Sequence, residues 1–301
     1  MPVDSRRIQG PDSSVPFMLY SSREKKDYKT VKSEVFKKGL RKDGRKWDQH
    51  RKVYLKTSVV TQAKGSAFIE QNNTKVICSV FDPREIPRKS DYSVNGELYC
   101  EFKYAPFSCL TRRGHQQDAE EKEFSLILRR ALEPAVCRHE FPNFQVDIYA
   151  LVLQDDGSAL SAAITCASLA LADASVPMYD LVASVTLGVH DDLKFLDPTA
   201  EETILCNTSP RTLQNHGTIV FSYSASQQQI SEYAQTGAMN LDCITSAIDI
   251  LTRACDDIYP LSQQCLVKSV AKSVKKKKKR EEKLNRERAI LADENEPPTN
   301  E

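Results

Sequence analysis

Apolar positions divide the chain unevenly. Residues 1–40 are polar and lysine-rich with no apolar period, and they predict an extended arm. From Tyr54 the pattern turns β-branched: 54–60, 66–70 and 75–81 predict three strands, the last two joined by a turn at Asn72-Asn73. Pro83, Pro87 and the polar run to Gly96 predict a loop, and 98–107 a further strand ending at Pro106.

The period then lengthens. Phe124, Ile127, Leu128, Ala131, Leu132 and Ala135 recur at three and four residues and predict a helix over 118–138, with acids in its first turn and Pro134 breaking or kinking its end. The continuous apolar run 145–153 predicts a strand buried on both faces. Residues 159–174, alanine-rich with Leu160, Ile164, Leu169 and Leu171, predict a nearly all-buried helix entered from the turn Asp156-Gly157-Ser158. Strands over 181–189 and 218–223 follow, then an amphipathic helix over 239–267 broken by Pro260. This order predicts an α/β (α+β) fold, a sandwich of mixed sheets and helices rather than a doubly wound sheet.

Composition supports one large unit. The 301 residues are 40% hydrophobic, enough for a domain of about 200–250 residues flanked by arms. The expected division is a basic arm over 1–38, a domain over 39–270 and a charged, disordered tail over 271–301, with transient helix at 281–291. Charged residues interrupt nearly every membrane-length window, and Asp4, Arg6 and Arg7 interrupt the first ten residues, so a soluble intracellular protein is expected.

Charge is segregated. Residues 1–51 hold 14 Lys/Arg against 7 Asp/Glu, and 268–290 hold 11 against 3, which leaves the body over 52–267 at −10 although the whole chain is +1. Such a body repels a polyanion over most of its surface, so any contact with one must be local or come from the arms. The nine cysteines and five histidines show no zinc-ligand spacing, and most cysteines sit in apolar runs such as 75–80, where they act as small buried hydrophobes. No metal and no cofactor are expected.

Three stretches together resemble the RNase PH family. They are Arg41-Lys42-Asp43-Gly44-Arg45 with Gly65-Ser66-Ala67 and Asn73-Thr74-Lys75-Val76, then 153–165 around Asp156-Gly157-Ser158, then Leu196-Asp197-Pro198-Thr199 with Glu201 and Glu202. The resemblance implies an RNase PH-like fold. It further implies a place in a hetero-oligomeric exosome ring of RNase PH-like subunits, with RNA-binding cap subunits and single-stranded RNA as partners, in the nucleus, nucleolus and cytoplasm. The work implied is 3′–5′ processing and decay of ribosomal, small nuclear and messenger RNA.

The departures from the family pattern bear on catalysis. Phosphorolytic members carry a loop like D-G-G-T-R-T-A, whose hydroxyl and arginine bind the attacking phosphate; Ala159 and Leu160 stand at those positions here. Phosphate requires charge-assisted donors, and leucine has none. Where such members carry further acids, this chain has Thr199 and Thr203; Asp197, Glu201 and Glu202 read as solvated loop acids. The expectation is therefore no catalytic residue, and RNA contact through Arg112 and Arg113 on a mobile loop. The alternatives are an active phosphate-dependent 3′–5′ exoribonuclease, or an RNA-binding adaptor working through basic tails such as 275–280.

Overall fold

The computed structural model describes residues 41–86, 92–109, 112–114, 116–191, 193–207 and 215–294, so the predicted arm over 1–38 lies outside the described residues. The first sheet grows from the predicted meander: β1 (Val53–Thr57), β2 (Gly65–Gln71) and β3 (Thr74–Glu85) run antiparallel, with Gln71 opposite Thr74 across the Asn72-Asn73 turn. Asn72 has φ 51°, the left-handed conformation that such tight hairpins use and asparagine tolerates. β4 (Glu97–Tyr104) and β5 (Phe144–Gln154) pair in parallel, completing the order β1-β2-β3-β5-β4.

Parallel neighbours need a crossover, and α1 (Ala119–Leu132) provides it. A reciprocal box of Asp118 and Glu121 caps its start. The buried Glu121 carboxylate also accepts the Tyr104 N–H at 2.9 Å, fastening the helix to β4. The helix predicted over 118–138 stops at Leu132, because Pro134 lacks an N–H and turns 133–135 into a short 3₁₀ segment.

The second sheet comprises β6 (Val182–His190), β7 (Leu193–Leu196), β8 (His216–Ser224) and β9 (Gln229–Ala238), all antiparallel in the order β7-β6-β8-β9. The sequence pattern did not predict β7 or β9. β9 lies at the sheet edge and carries only weak apolar alternation.

α2 (Ala159–Asp173) lies between the sheets, against β2 and β3 on one side and β6 and β8 on the other, with 159–171 wholly buried. Toward the second sheet it presents a hydroxyl stripe, Ser161, Thr165 and Ser168, at i, i+4 and i+7. Thr165 Oγ1 accepts the Ser184 N–H at 3.0 Å, Ser168 Oγ accepts the Val182 N–H at 2.9 Å, and Ser161 Oγ lies 3.0 Å from Thr186 Oγ1. The opposite face of β6, Ala183, Val185, Leu187 and Val189, packs on Cys243, Ala247, Leu251, Ala254 and Ile258 of α4 (Leu241–Glu294). The result is a layered sandwich of sheet, helices, sheet and helix; the fourth helix, α3 (Ala200–Asn207), sits beside β6 and β8.

Three expectations are corrected. α4 runs through Pro260 without a break, because the turns on both sides are docked by Ile258 and Ser262. The tail expected to be disordered from 271 instead continues this helix to Glu294. β5 is not covered on both faces: Leu151 is 38% exposed, and Phe81 and Tyr99 pack edge-on to Tyr149 on an open outer surface. No helix among the described residues is long and apolar enough to cross a membrane.

Close approach of β2 to the end of α2 depends on Gly65. A Cβ there would lie 2.2 Å from the Ala174 nitrogen and 2.4 Å from the Ala170 oxygen, both backbone atoms. Gly65→Ala is therefore expected to lower stability by about 1–3 kcal/mol, read as a fall in the urea midpoint. An unchanged midpoint would mean that the helix end yields at no cost.

Candidate functional site

Three segments far apart in sequence meet at one corner: 41–51 ahead of β1, the loop 155–158 between β5 and α2, and 196–202 between β7 and α3. The first is seated by Trp47, whose ring meets Phe195 edge-on at 5.1 Å and whose carbonyl accepts the Leu196 N–H at 2.9 Å.

Arg51 joins all three. Its guanidinium makes a two-pronged contact with Asp197, Nη2 to Oδ1 at 2.6 Å and Nε to Oδ2 at 2.9 Å, and its backbone N–H donates to the same carboxylate at 3.2 Å. The remaining donors reach the Asp156 and Gly157 carbonyls and Thr74 Oγ1, each at 3.0 Å. Both side chains are almost wholly buried. Burial alone would raise the Asp197 pKa, but the Arg51 charge and its hydrogen bonds outweigh it and hold the carboxyl below the usual range.

A second buried pair lies alongside. Arg41 donates to Glu202 through Nε at 2.8 Å and Nη2 at 2.6 Å, and through Nη1 to the Leu196 carbonyl. Glu202 Oε2 also accepts the Thr199 N–H at 2.9 Å, and Thr203 Oγ1 donates to the Thr199 carbonyl at 3.0 Å. Both threonines expected at the missing acidic positions thus serve the start of α3. Asp197 and Glu202, read from sequence as solvated acids, are instead 3% exposed and paired. Glu201 alone keeps the expected character, meeting Lys42 at the surface.

The loop at 156–158 packs against Pro198. Gly157 has φ 85°, and a Cβ there would lie 2.5 Å from the Pro198 carbonyl. Ser158 Oγ donates to that same carbonyl at 3.1 Å. Ala159 and Leu160 are 4% and 5% exposed and belong to the main apolar core. The side chain at the arginine position therefore points its apolar surface into the core, with no donor for an anion.

The predicted RNA arginines lie beside this corner. The Ser108 carbonyl accepts the Asp155 N–H at 3.1 Å, and the Pro106 carbonyl accepts the Arg113 N–H at 3.2 Å. Arg112 is exposed. Arg113 is not the free charge that the sequence suggested: its guanidinium stacks over Tyr104 at 4.1 Å and reaches Glu120 Oε2 at 3.0 Å. No group of three or more His, Cys, Asp or Glu among the described residues is placed to hold a metal. Of the nine cysteines, seven are buried and Cys109 and Cys265 are half-buried.

Sequence reasoning missed Arg51, whose partner is 146 residues away. The hint was a third arginine following the Arg41–Arg45 motif.

Two layered sheets around a buried helix, with this arginine-clamped loop at its N-terminus, define an RNase PH-type domain. Residues 49–177 match the 3′ exoribonuclease family, domain 1, and the chain belongs to the RNase PH family. It is 33% identical over 285 residues to the human exosome complex component MTR3, spanning 89% of this chain and 96% of that protein. It is 32% identical to the Schizosaccharomyces pombe exosome complex component mtr3, spanning 84% of this chain and 90% of that protein. In fold it resembles a subunit of the Archaeoglobus fulgidus exosome with RNA bound to the active site, at a TM-score of 0.67 and 21% identity over 77% of this chain and 95% of that one.

The clamp makes a pH prediction. Because the folded Asp197 pKa lies below the ordinary 3.8, its contribution is complete above that value and is lost as pH falls through the folded pKa. Asp197→Asn should cost about 3–5 kcal/mol at neutral pH by stranding Arg51. It should also flatten the acid limb of a stability-against-pH curve below 3.8. An acid limb as steep as that of the wild type would assign the acid sensitivity to other carboxylates.

Proposed function

We propose that the chain is a non-catalytic structural subunit of an exosome ring, where it helps thread single-stranded RNA for 3′–5′ processing and decay. The carrying observation is this loop: Ala159 and Leu160 are in the core, and Arg51 and Thr74 occupy the loop carbonyls. An oxyanion needs donors aimed at it before reaction begins, and the buried side chains of Ala159 and Leu160 supply none. The similarity to MTR3 supports the ring. So does the open outer face of the first sheet, where Phe81, Tyr99 and Leu151 leave apolar surface of the kind that marks a protein contact. RNase PH-like neighbours and RNA-binding cap subunits are the partners on this reading, with work on ribosomal, small nuclear and messenger RNA in the nucleus, nucleolus and cytoplasm. RNA contact within the ring falls to Arg112, with Arg113 holding the loop against Tyr104.

Purified chain given single-stranded RNA and inorganic phosphate should release no nucleoside diphosphate; robust phosphate-dependent release would overturn the non-catalytic reading. Ala159→Thr with Leu160→Arg should not restore release, since Thr199 and Thr203 remain committed to α3.

The two arginines separate by variant. In the assembled ring, Arg112→Glu should weaken RNA binding and reduce the salt slope by about 0.7, one single-strand phosphate contact, with the melting temperature unchanged. Arg113→Glu should lower the melting temperature as well, since it removes the stack on Tyr104 and places an acid beside Glu120. RNA affinity and salt slope unchanged in both would take the RNA path off this loop.

A further inference from the structure

α4 leaves the body near Ser269. Every residue over 270–282 is exposed, while the helix continues to Glu294. At about 1.5 Å per residue, the part beyond 269 projects roughly 38 Å. An isolated helix of this kind is marginal in water because its first turn is costly to form. Here the turns docked through Cys243, Ala247, Leu251 and Ile258 supply that nucleus, and the extension only adds turns to it.

The charge on the extension has one sign. Residues 268–280 contain eight cations, Lys268, Lys272, Lys275 to Lys279 and Arg280, and no acid. Five of them, Lys268, Lys272, Lys275, Lys276 and Lys279, recur at i, i+4, i+7, i+8 and i+11 and share one helix face. Three pairs on that face, 268/272, 272/276 and 275/279, are like charges four residues apart, an arrangement that destabilises a helix. None of these lysines forms an ion pair among the described residues.

A linear polyanion relieves this repulsion along the whole face at once. Lysines four residues apart stand about 6 Å apart along the axis, a ladder that a flexible phosphate backbone can follow. The face also contrasts with the body over 52–267, at −10, so it is the densest positive surface among the described residues. A membrane suits it less: the neighbouring apolar stripe is only Val267, Val270, Ala271 and Val274, without the Trp, Phe or Leu that anchor interfacial helices. We infer that the lysine face of α4 is a binding site for the phosphate backbone of single-stranded RNA, separate from the Arg112 loop. The inference rests on the reading that the chain works on RNA, but not on its being non-catalytic.

The test uses the full chain and a labelled oligouridylate, with anisotropy followed across salt concentrations. Changing the five face lysines to glutamine should reduce the slope of log affinity against log salt by about 0.7 for each lysine that contacts a phosphate. The variant Lys277→Gln with Lys278→Gln, off that face, should lose less per lysine changed. Far-UV circular dichroism should show helix retained in both. An unchanged slope in the face variant overturns the proposal, as does an equal loss per lysine in the off-face variant. It is overturned equally if poly-glutamate or phosphatidylserine vesicles displace the RNA at matched charge, since the face would then serve an acidic protein or a membrane. Phosphorolysis is read in a separate assay, so failure of this site and failure of the ring reading are distinguishable.

Discussion

The ion pair of Arg51 and Asp197 organises this protein. Two opposite charges removed from water gain little net stability by themselves, but once buried neither can lose its partner without a large penalty. Arg51 extends the constraint by spending its other donors on the carbonyls of Asp156 and Gly157 and on Thr74. The segment before β1, the β2–β3 turn, the entry to α2 and the entry to α3 are thereby held in one register. Arg41 and Glu202 repeat the arrangement one layer away.

That constraint bears directly on chemistry. A loop that receives an anion needs donors around open space; on the proposed reading the side chains of Ala159 and Leu160 withhold theirs by lying in the core. Gly157 lies against Pro198, Leu160 is in the core, and Thr199 and Thr203 complete the first turn of α3. The family's fold persists because the sheets and α2 depend on apolar area and on the Ser161, Thr165 and Ser168 stripe, none of which requires a phosphate.

Charge is divided as well. The body is acidic and its buried Arg41 and Arg51 are committed to carboxylates, whereas 268–280 on the α4 extension carries eight cations and no acid. Arg113 falls between these classes, fixed by Tyr104 and Glu120.

Periodicity and motif order made much of this legible. The meander, the buried α2, the crossover helix and the sandwich class follow from spacing, because apolar side chains at period two or near three and a half have few ways to be covered. The loss of the phosphate donors is likewise written in Ala159 and Leu160. Other features had no local signal. β9 has only weak apolar alternation and became a strand because β8 offered it a free edge. Pro260 should stop a helix, yet docking on both sides carries α4 through it. Asp197 and Glu202 look like loop acids until arginines from 146 and 161 residues away close on them. By itself, then, the sequence determined which segments form elements, which face of each is apolar, and that the phosphate donors are missing. Only the tertiary structure decided which charges are buried together and whether weak elements persist, because those outcomes depend on desolvation and on edges supplied by residues distant in the chain.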